Sequence, residues 1–200
     1  MLTAVEGFGV TDALLFETLS HHLSQRFGLH IQIAESDSMR SQEMEVASLR
    51  DGKILLSPAR TPEQQAFILA HVFGHLVQHL SRSAHIALLE QIEAPPPISM
   101  STSLKCEYLR YEMDAYAWGE FLIRQCVLPT KDMLHRYTTY AVVDFATYAH
   151  YLETGRRVGD NKFQVIYQNS LRASKKQLWS ITCKRMPDEL IVDNLEISVV

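Results

Sequence analysis

Apolar positions in the first third of the chain recur first at helical and then at strand spacing. Leu15, Leu19, Leu23 and Phe27 stand four apart behind Thr11, and Gly28 follows where a left-handed cap would end a helix. That pattern predicts a helix over 12–27. LHIQIA (29–34) alternates apolar and polar side chains, the period of a half-buried strand. The polar stretch ESDSMRSQEM (35–44) reads as a loop. EVASLR-DG-KILLSP (45–58) sets two β-prone runs around Asp51-Gly52, the dipeptide a type I′ turn favours, and so predicts an antiparallel hairpin. Thr61-Pro62-Glu63-Gln64 then carries the parts of a helix start: a hydroxyl cap, a proline in the first turn and an amide three residues beyond the cap.

The helix opened there contains AFILAHVFGHLVQHL and runs to about Leu80. A short helix over 84–93 is stopped by Pro95-Pro96-Pro97. Residues 102–126 return to helical spacing through Leu109, Met113, Tyr116 and Phe121, and Pro129-Thr130 introduces a further helix over 131–154 that Gly155 ends. Residues 163–182 fit one helix or a strand and a helix, and LEISVV (195–200) fits a terminal strand or tail. The order of elements predicts an α+β fold, mostly helical, with a small antiparallel hairpin or sheet. We expect one domain over 1–154, with 155–200 an extension packed on it.

Composition narrows the classes. The chain is 46% hydrophobic and 21% charged, which suits a globular domain. Nineteen basic against 23 acidic residues give a net charge of −4, which argues against a broad surface for nucleic acid or anionic membrane. Arg172, Lys175 and Lys176 form a local basic group that reads as a solvated face. Three widely spaced cysteines, Cys106, Cys126 and Cys183, suit buried thiols in a reducing compartment and offer no zinc-finger spacing. MLTAVEGFGVTDALL lacks a basic start and a continuous apolar run, and no stretch is apolar enough for a membrane span. A cytoplasmic protein is therefore expected. No phosphate loop, nucleophile elbow or helix-turn-helix is visible.

Chemistry concentrates on the apolar helix. His71 and His75 are four residues apart, so their side chains project within about 40° of each other and roughly 6 Å apart along the axis. Two imidazoles so placed can share one metal ion. His79 lies about 80° round from His71 and is poorly placed to join them. Nine histidines in 200 residues produce such a pair by chance on the order of 0.4 times, so spacing alone leaves hydrogen-bonded core histidines as an equal reading. A third ligand must come from elsewhere. Glu112 is the first candidate, because Ala115 one turn on permits a close helix approach; Asp114 is the second, with Glu107 and Glu120 as rivals. Eight tyrosines between 108 and 167 mostly suit packing, although one near an ion could donate to an oxyanion. His21 and His22 fit the surface of the first helix.

Leu69-Ala70-His71-Val72-Phe73-Gly74-His75-Leu76 and Glu112-Met113-Asp114-Ala115-Tyr116-Ala117-Trp118-Gly119-Glu120-Phe121-Leu122-Ile123 together resemble the ImmA/IrrE family of zinc metallopeptidases. Its motifs are L-A-H-E-x-G-H-L and E-x-x-A-(D/N)-x-F-A-x-x-L-L, after a strand hairpin. The resemblance covers about residues 12–130 and implies zinc, held by His71, His75 and Glu112. It also implies hydrolysis of a regulatory protein.

The departures bear on mechanism. Val72 stands where the family has the glutamate that handles the proton of metal-bound water, and Tyr116 where Asp or Asn is usual. A valine neither accepts nor donates a proton, and losing a general base costs roughly 10²–10⁴-fold. The leading expectation is a metal-binding, proteolytically impaired protein that binds a protein or peptide partner, with no direct nucleic-acid or membrane contact. The alternatives are an active zinc endopeptidase whose base is Glu43, Glu45 or Glu120, and a metal-free interaction module. An introduced inactivating substitution would sooner be glutamine or alanine than valine. Two histidines and a carboxylate also form the facial triad of non-haem iron oxygenases, but those usually sit in β-barrels. No catalytic residue is assigned.

Overall fold

A computed structural model describes residues 11–34, 46–48, 52–81, 99–156 and 158–173. The expected loop 35–44, the short helix 84–93, the proline break 95–97 and the tail 195–200 lie outside these residues, as do Asp51, Glu43 and Glu45. The elements are α1 (Asp12–Phe27), β1 (His30–Ile33), β2 (Val46–Ser48), β3 (Lys53–Leu56), α2 (Pro62–Ser81), α3 (Thr102–Cys126), α4 (Lys131–Thr154) and α5 (Asp160–Ala173). The fold is α+β and mostly helical.

Local chemistry sets the helix ends. Thr11 accepts a hydrogen bond from the Leu14 N–H at 3.2 Å, and Gly28 closes α1 in the left-handed region at φ 65°. At the start of α2 the two halves of a capping box are present. The Gln64 N–H donates to Thr61 Oγ1 and the Thr61 N–H donates to Gln64 Oε1, both at 3.3 Å. Gly155 ends α4 at φ 68°.

The sheet has the order β1-β3-β2. β2 runs antiparallel to β3, with Ala47 opposite Ile54, and Gly52 lies between them at φ 63°. β1 runs parallel to β3, with Ile31 opposite Ile54. The sheet is therefore mixed, which corrects the expectation of a purely antiparallel one. Alternation along 29–34 marks a strand, but it carries no information about the direction of the neighbour. Ile54 and Leu56 face the core, and β1 is a largely exposed edge.

α2 is the central helix. Ala66, Phe67, Ile68, Leu69, Ala70, Phe73 and Leu76 are all buried, and the helix packs against α1, α3 and α4. Leu15, Leu19 and Leu23 of α1 are fully buried beneath it. From α4 and α5, Tyr137, Tyr140, Phe163 and Tyr167 join Phe67 in edge-on and stacked ring contacts. The Gln64 and Gln164 side chains exchange hydrogen bonds at 2.8 and 3.1 Å. The described part of the C-terminal region thus shares the core. Helix α5 covers 163–173 of the stretch 163–182 whose form was open; the rest of that stretch lies outside the described residues. No helix among the described residues is long and apolar enough to cross a membrane.

α2 and α3 lie unusually close, and small residues are the reason. A Cβ placed on Gly74 would meet the Ala115 carbonyl oxygen at 2.1 Å and its Cα at 2.5 Å. One on Gly119 would meet the Ala70 carbonyl oxygen at 2.7 Å. One turn beyond Gly74, Gln78 Nε2 donates to the Tyr111 carbonyl at 2.7 Å. Residues 70, 74 and 78 therefore face 119, 115 and 111 in an antiparallel register with the backbones nearly touching. Glu112 lies one turn from Ala115 along that seam.

Candidate metal centre

The seam delivers Glu112 to the histidine pair. His71 Nε2 and His75 Nε2 are 2.6 Å apart, and Glu112 Oε2 is 3.1 Å from the first and 3.4 Å from the second. His71, His75 and Glu112 form a group able to hold a metal ion. Their side chains are 8%, 20% and 3% exposed, so His75 is the least buried member of the cluster.

The three atoms fit an ion better than they fit each other. A circle through them has a radius of about 1.8 Å, below the ~2.0–2.1 Å of a zinc–nitrogen bond, so a point just off their plane lies at bonding distance from all three. Glu112 Oε2 is buried and close to two ring nitrogens, yet it makes no properly directed hydrogen bond. Gln78 explains much of this. Its Nε2 is spent on the Tyr111 carbonyl, so its Oε1 faces His75 Nδ1 at 2.9 Å as an acceptor. Nδ1 then carries a proton, and in the neutral ring a metal requires this leaves His75 Nε2 as a bare lone pair. One proton on His71 Nε2 can serve either His75 or Glu112 but not both; a divalent cation serves all three.

Electrostatics favour an ionised acid and a neutral His71. Burial alone would raise the Glu112 carboxyl, but the adjoining His71 and His75 rings reverse this and hold it well below the usual carboxylate range. Burial, reinforced by His75, lowers the pKa of His71 despite Glu112 and Asp144 nearby. A neutral imidazole beside an ionised carboxylate is the protonation state a metal ligand set requires.

Aromatic rings wall the cluster. Tyr111 stacks on His75 with centroids 4.8 Å apart, and Tyr116 stands edge-on to His71 at 4.0 Å. Tyr148 lies 6.5 Å from His71 and contacts Tyr108. Burial first, then the charges of Asp144 and Glu112, push the Tyr116 and Tyr148 phenols well above their ordinary range, so both stay neutral donors. The Tyr116 hydroxyl donates to Asp144 Oδ2 at 2.5 Å.

The rival acids stand apart from the cluster. Glu107 and Asp114 are exposed, and Glu120 is paired with Arg124 on the surface of α3. His79 is not among the converging group. Val72 is buried among apolar side chains. Sequence reasoning passed over Gln78 and Asp144. Each leaves a trace in the chain: a lone amide three residues after His75, and a single acid in the apolar run Ala141-Val142-Val143-Asp144-Phe145-Ala146.

Fold and site together define a mostly helical α+β protein with a buried cluster of two histidines and one carboxylate able to take a metal ion. No protein-family model matches the chain, and neither a curated protein nor a solved structure matches it.

Proposed function

We propose that the protein is a metal-binding relative in form of the ImmA/IrrE metallopeptidases that has lost ordinary peptide hydrolysis. It acts by binding a protein or peptide partner. Zinc is the ion, and His71, His75 and Glu112 are its ligands. One observation carries the reading. Three ligand atoms converge within bonding reach of a single point while Val72, the residue after the first histidine, is packed in the core.

Zinc held by His71, His75 and Glu112 would supply Lewis acidity to an oxygen bound beside it. The chain's own groups hold and orient; they do not move protons. Among the described residues, the carboxylates other than Glu112 are exposed, ion-paired, or, like Asp144, set against the opposite ring nitrogen of His71. Without a general base, hydrolysis would be slower by about 10²–10⁴-fold, whereas binding a peptide carbonyl or carboxylate needs no proton transfer.

The test compares hydrolysis of a quenched peptide library by the wild-type protein and Val72→Glu, with and without chelator. Wild type should show no chelator-sensitive cleavage, and Val72→Glu should gain it. Chelator-sensitive cleavage by wild type would replace this reading with an active endopeptidase whose base is Glu43 or Glu45.

A further inference from the structure

An imidazole bound to an ion through Nε2 keeps its proton on Nδ1, and a buried N–H there needs an acceptor. For His75 that acceptor is Gln78. For His71 the Nδ1 edge faces Asp144 Oδ2 at 3.9 Å, on α4, a helix that contributes no ligand. The Asp144 carboxylate is held in place. Tyr116, one turn beyond Glu112 on α3, presses its ring edge against His71 and donates its hydroxyl to Asp144 Oδ2. The Thr147 hydroxyl, anchored on the Asp144 carbonyl at 2.7 Å, lies 3.5 Å from Oδ1. Tyr116 fills the position where the resembled motif has Asp or Asn. Tyr116 thus connects Asp144 on α4 to the ligand His71.

We propose that Asp144 is the positioning residue for His71: its carboxylate accepts the Nδ1–H of that ring when an ion occupies Nε2, with Tyr116 holding it there. This rests on the metal reading of the cluster. It makes the centre a three-helix device, with ligands from α2 and α3 and orientation from α4. It also balances charge. Two neutral imidazoles, the buried Glu112 carboxylate and the part-buried Asp144 carboxylate acting through His71 would together match a divalent cation in charge. The two rings are then oriented unequally, His75 by a neutral amide and His71 by a carboxylate, which increases the basicity of the His71 ligand.

The experiment uses the full chain loaded with Zn²⁺. Affinity is measured by chelator competition, and the histidine tautomers are read from long-range proton–nitrogen NMR spectra. In wild type both Nδ1 atoms should carry protected protons. Asp144→Ala should weaken Zn²⁺ binding by about 10–100-fold and disturb the His71 Nδ1–H signal, leaving the His75 signal in place. Gln78→Leu should do the reverse to the two signals. Asp144→Asn, which keeps the shape, guards against a folding defect and should give a smaller loss in the same direction. Unchanged affinity and an unchanged His71 signal in folded Asp144→Ala or Asp144→Asn would overturn the assignment while leaving the metal centre standing. A wild-type protein that binds no Zn²⁺ would overturn both.

Discussion

Replacing Gly74 by alanine tests whether the close contact between α2 and α3 builds the centre. The added Cβ would sit 2.1 Å from the Ala115 carbonyl oxygen and 2.5–2.6 Å from two more backbone atoms. Ordinary contact is about 3.5–4 Å, so the helices must separate by roughly 1 Å or more. All three clashing atoms belong to the Ala115 backbone, and no side chain can rotate aside. Overpacking of this kind costs about 1–3 kcal/mol, and the better helix propensity of alanine returns up to about 1 kcal/mol. A net loss near 1–2 kcal/mol should lower the melting temperature by roughly 2–8 °C in a chain of this size. The larger effect is on the site. Glu112 Oε2 lies only 3.1 and 3.4 Å from the two ring nitrogens, so moving α3 by an ångström withdraws the third ligand. Zn²⁺ affinity should fall by at least ~100-fold, the upper end of what losing a mere supporting contact costs. The assay is thermal melting of the metal-free protein, together with chelator competition. Gly159→Ala, where a Cβ meets nothing within 4 Å, serves as the control and should leave Zn²⁺ affinity at the wild-type value. A Gly74→Ala protein that melts and binds Zn²⁺ like wild type would refute the register of 70, 74 and 78 against 119, 115 and 111.

Two further predictions concern stability. Arg136 joins Asp12 of α1, Glu63 in the first turn of α2 and Asp132 on its own helix. Arg136→Met should cost about 1–2 kcal/mol in urea unfolding, mainly by leaving the 12%-exposed Glu63 side chain without its cation, and added salt should narrow the gap to wild type. The pH dependence follows from His71. Burial lowers its pKa in the folded state, so below about 6.5 the unfolded chain takes up a proton that the folded chain refuses. The metal-free protein should therefore lose stability as pH falls from about 6.5 toward the folded-state pKa, and His71→Gln should flatten that part of the curve.

Much of the fold was legible because its signals are local. Thr11 and Gly28 bracket α1, the Thr61–Gln64 box opens α2, and Gly155 closes α4, each within a few residues of the pattern that announces it. Glu112 was legible for a different reason. Ala115 one turn away signals a close approach, and Gly74 opposite completes it. Asp144 and Gln78 were not legible as parts of the site. Their meaning depends on which face of α4 meets His71 and which end of an amide is already bonded, and neither is encoded in spacing along one helix. The parallel pairing of β1 with β3 escaped for the same reason, since period-two alternation identifies a strand without naming its neighbour.

The central claim is that His71, His75 and Glu112 hold a metal ion. Elemental analysis of protein purified without chelator, with Glu112→Ala prepared in parallel, tests it most directly. The account predicts close to one equivalent of zinc per chain in wild type and loss of most of it in Glu112→Ala. Wild-type protein without stoichiometric metal, or a Glu112→Ala variant that retains it in full, would contradict the account.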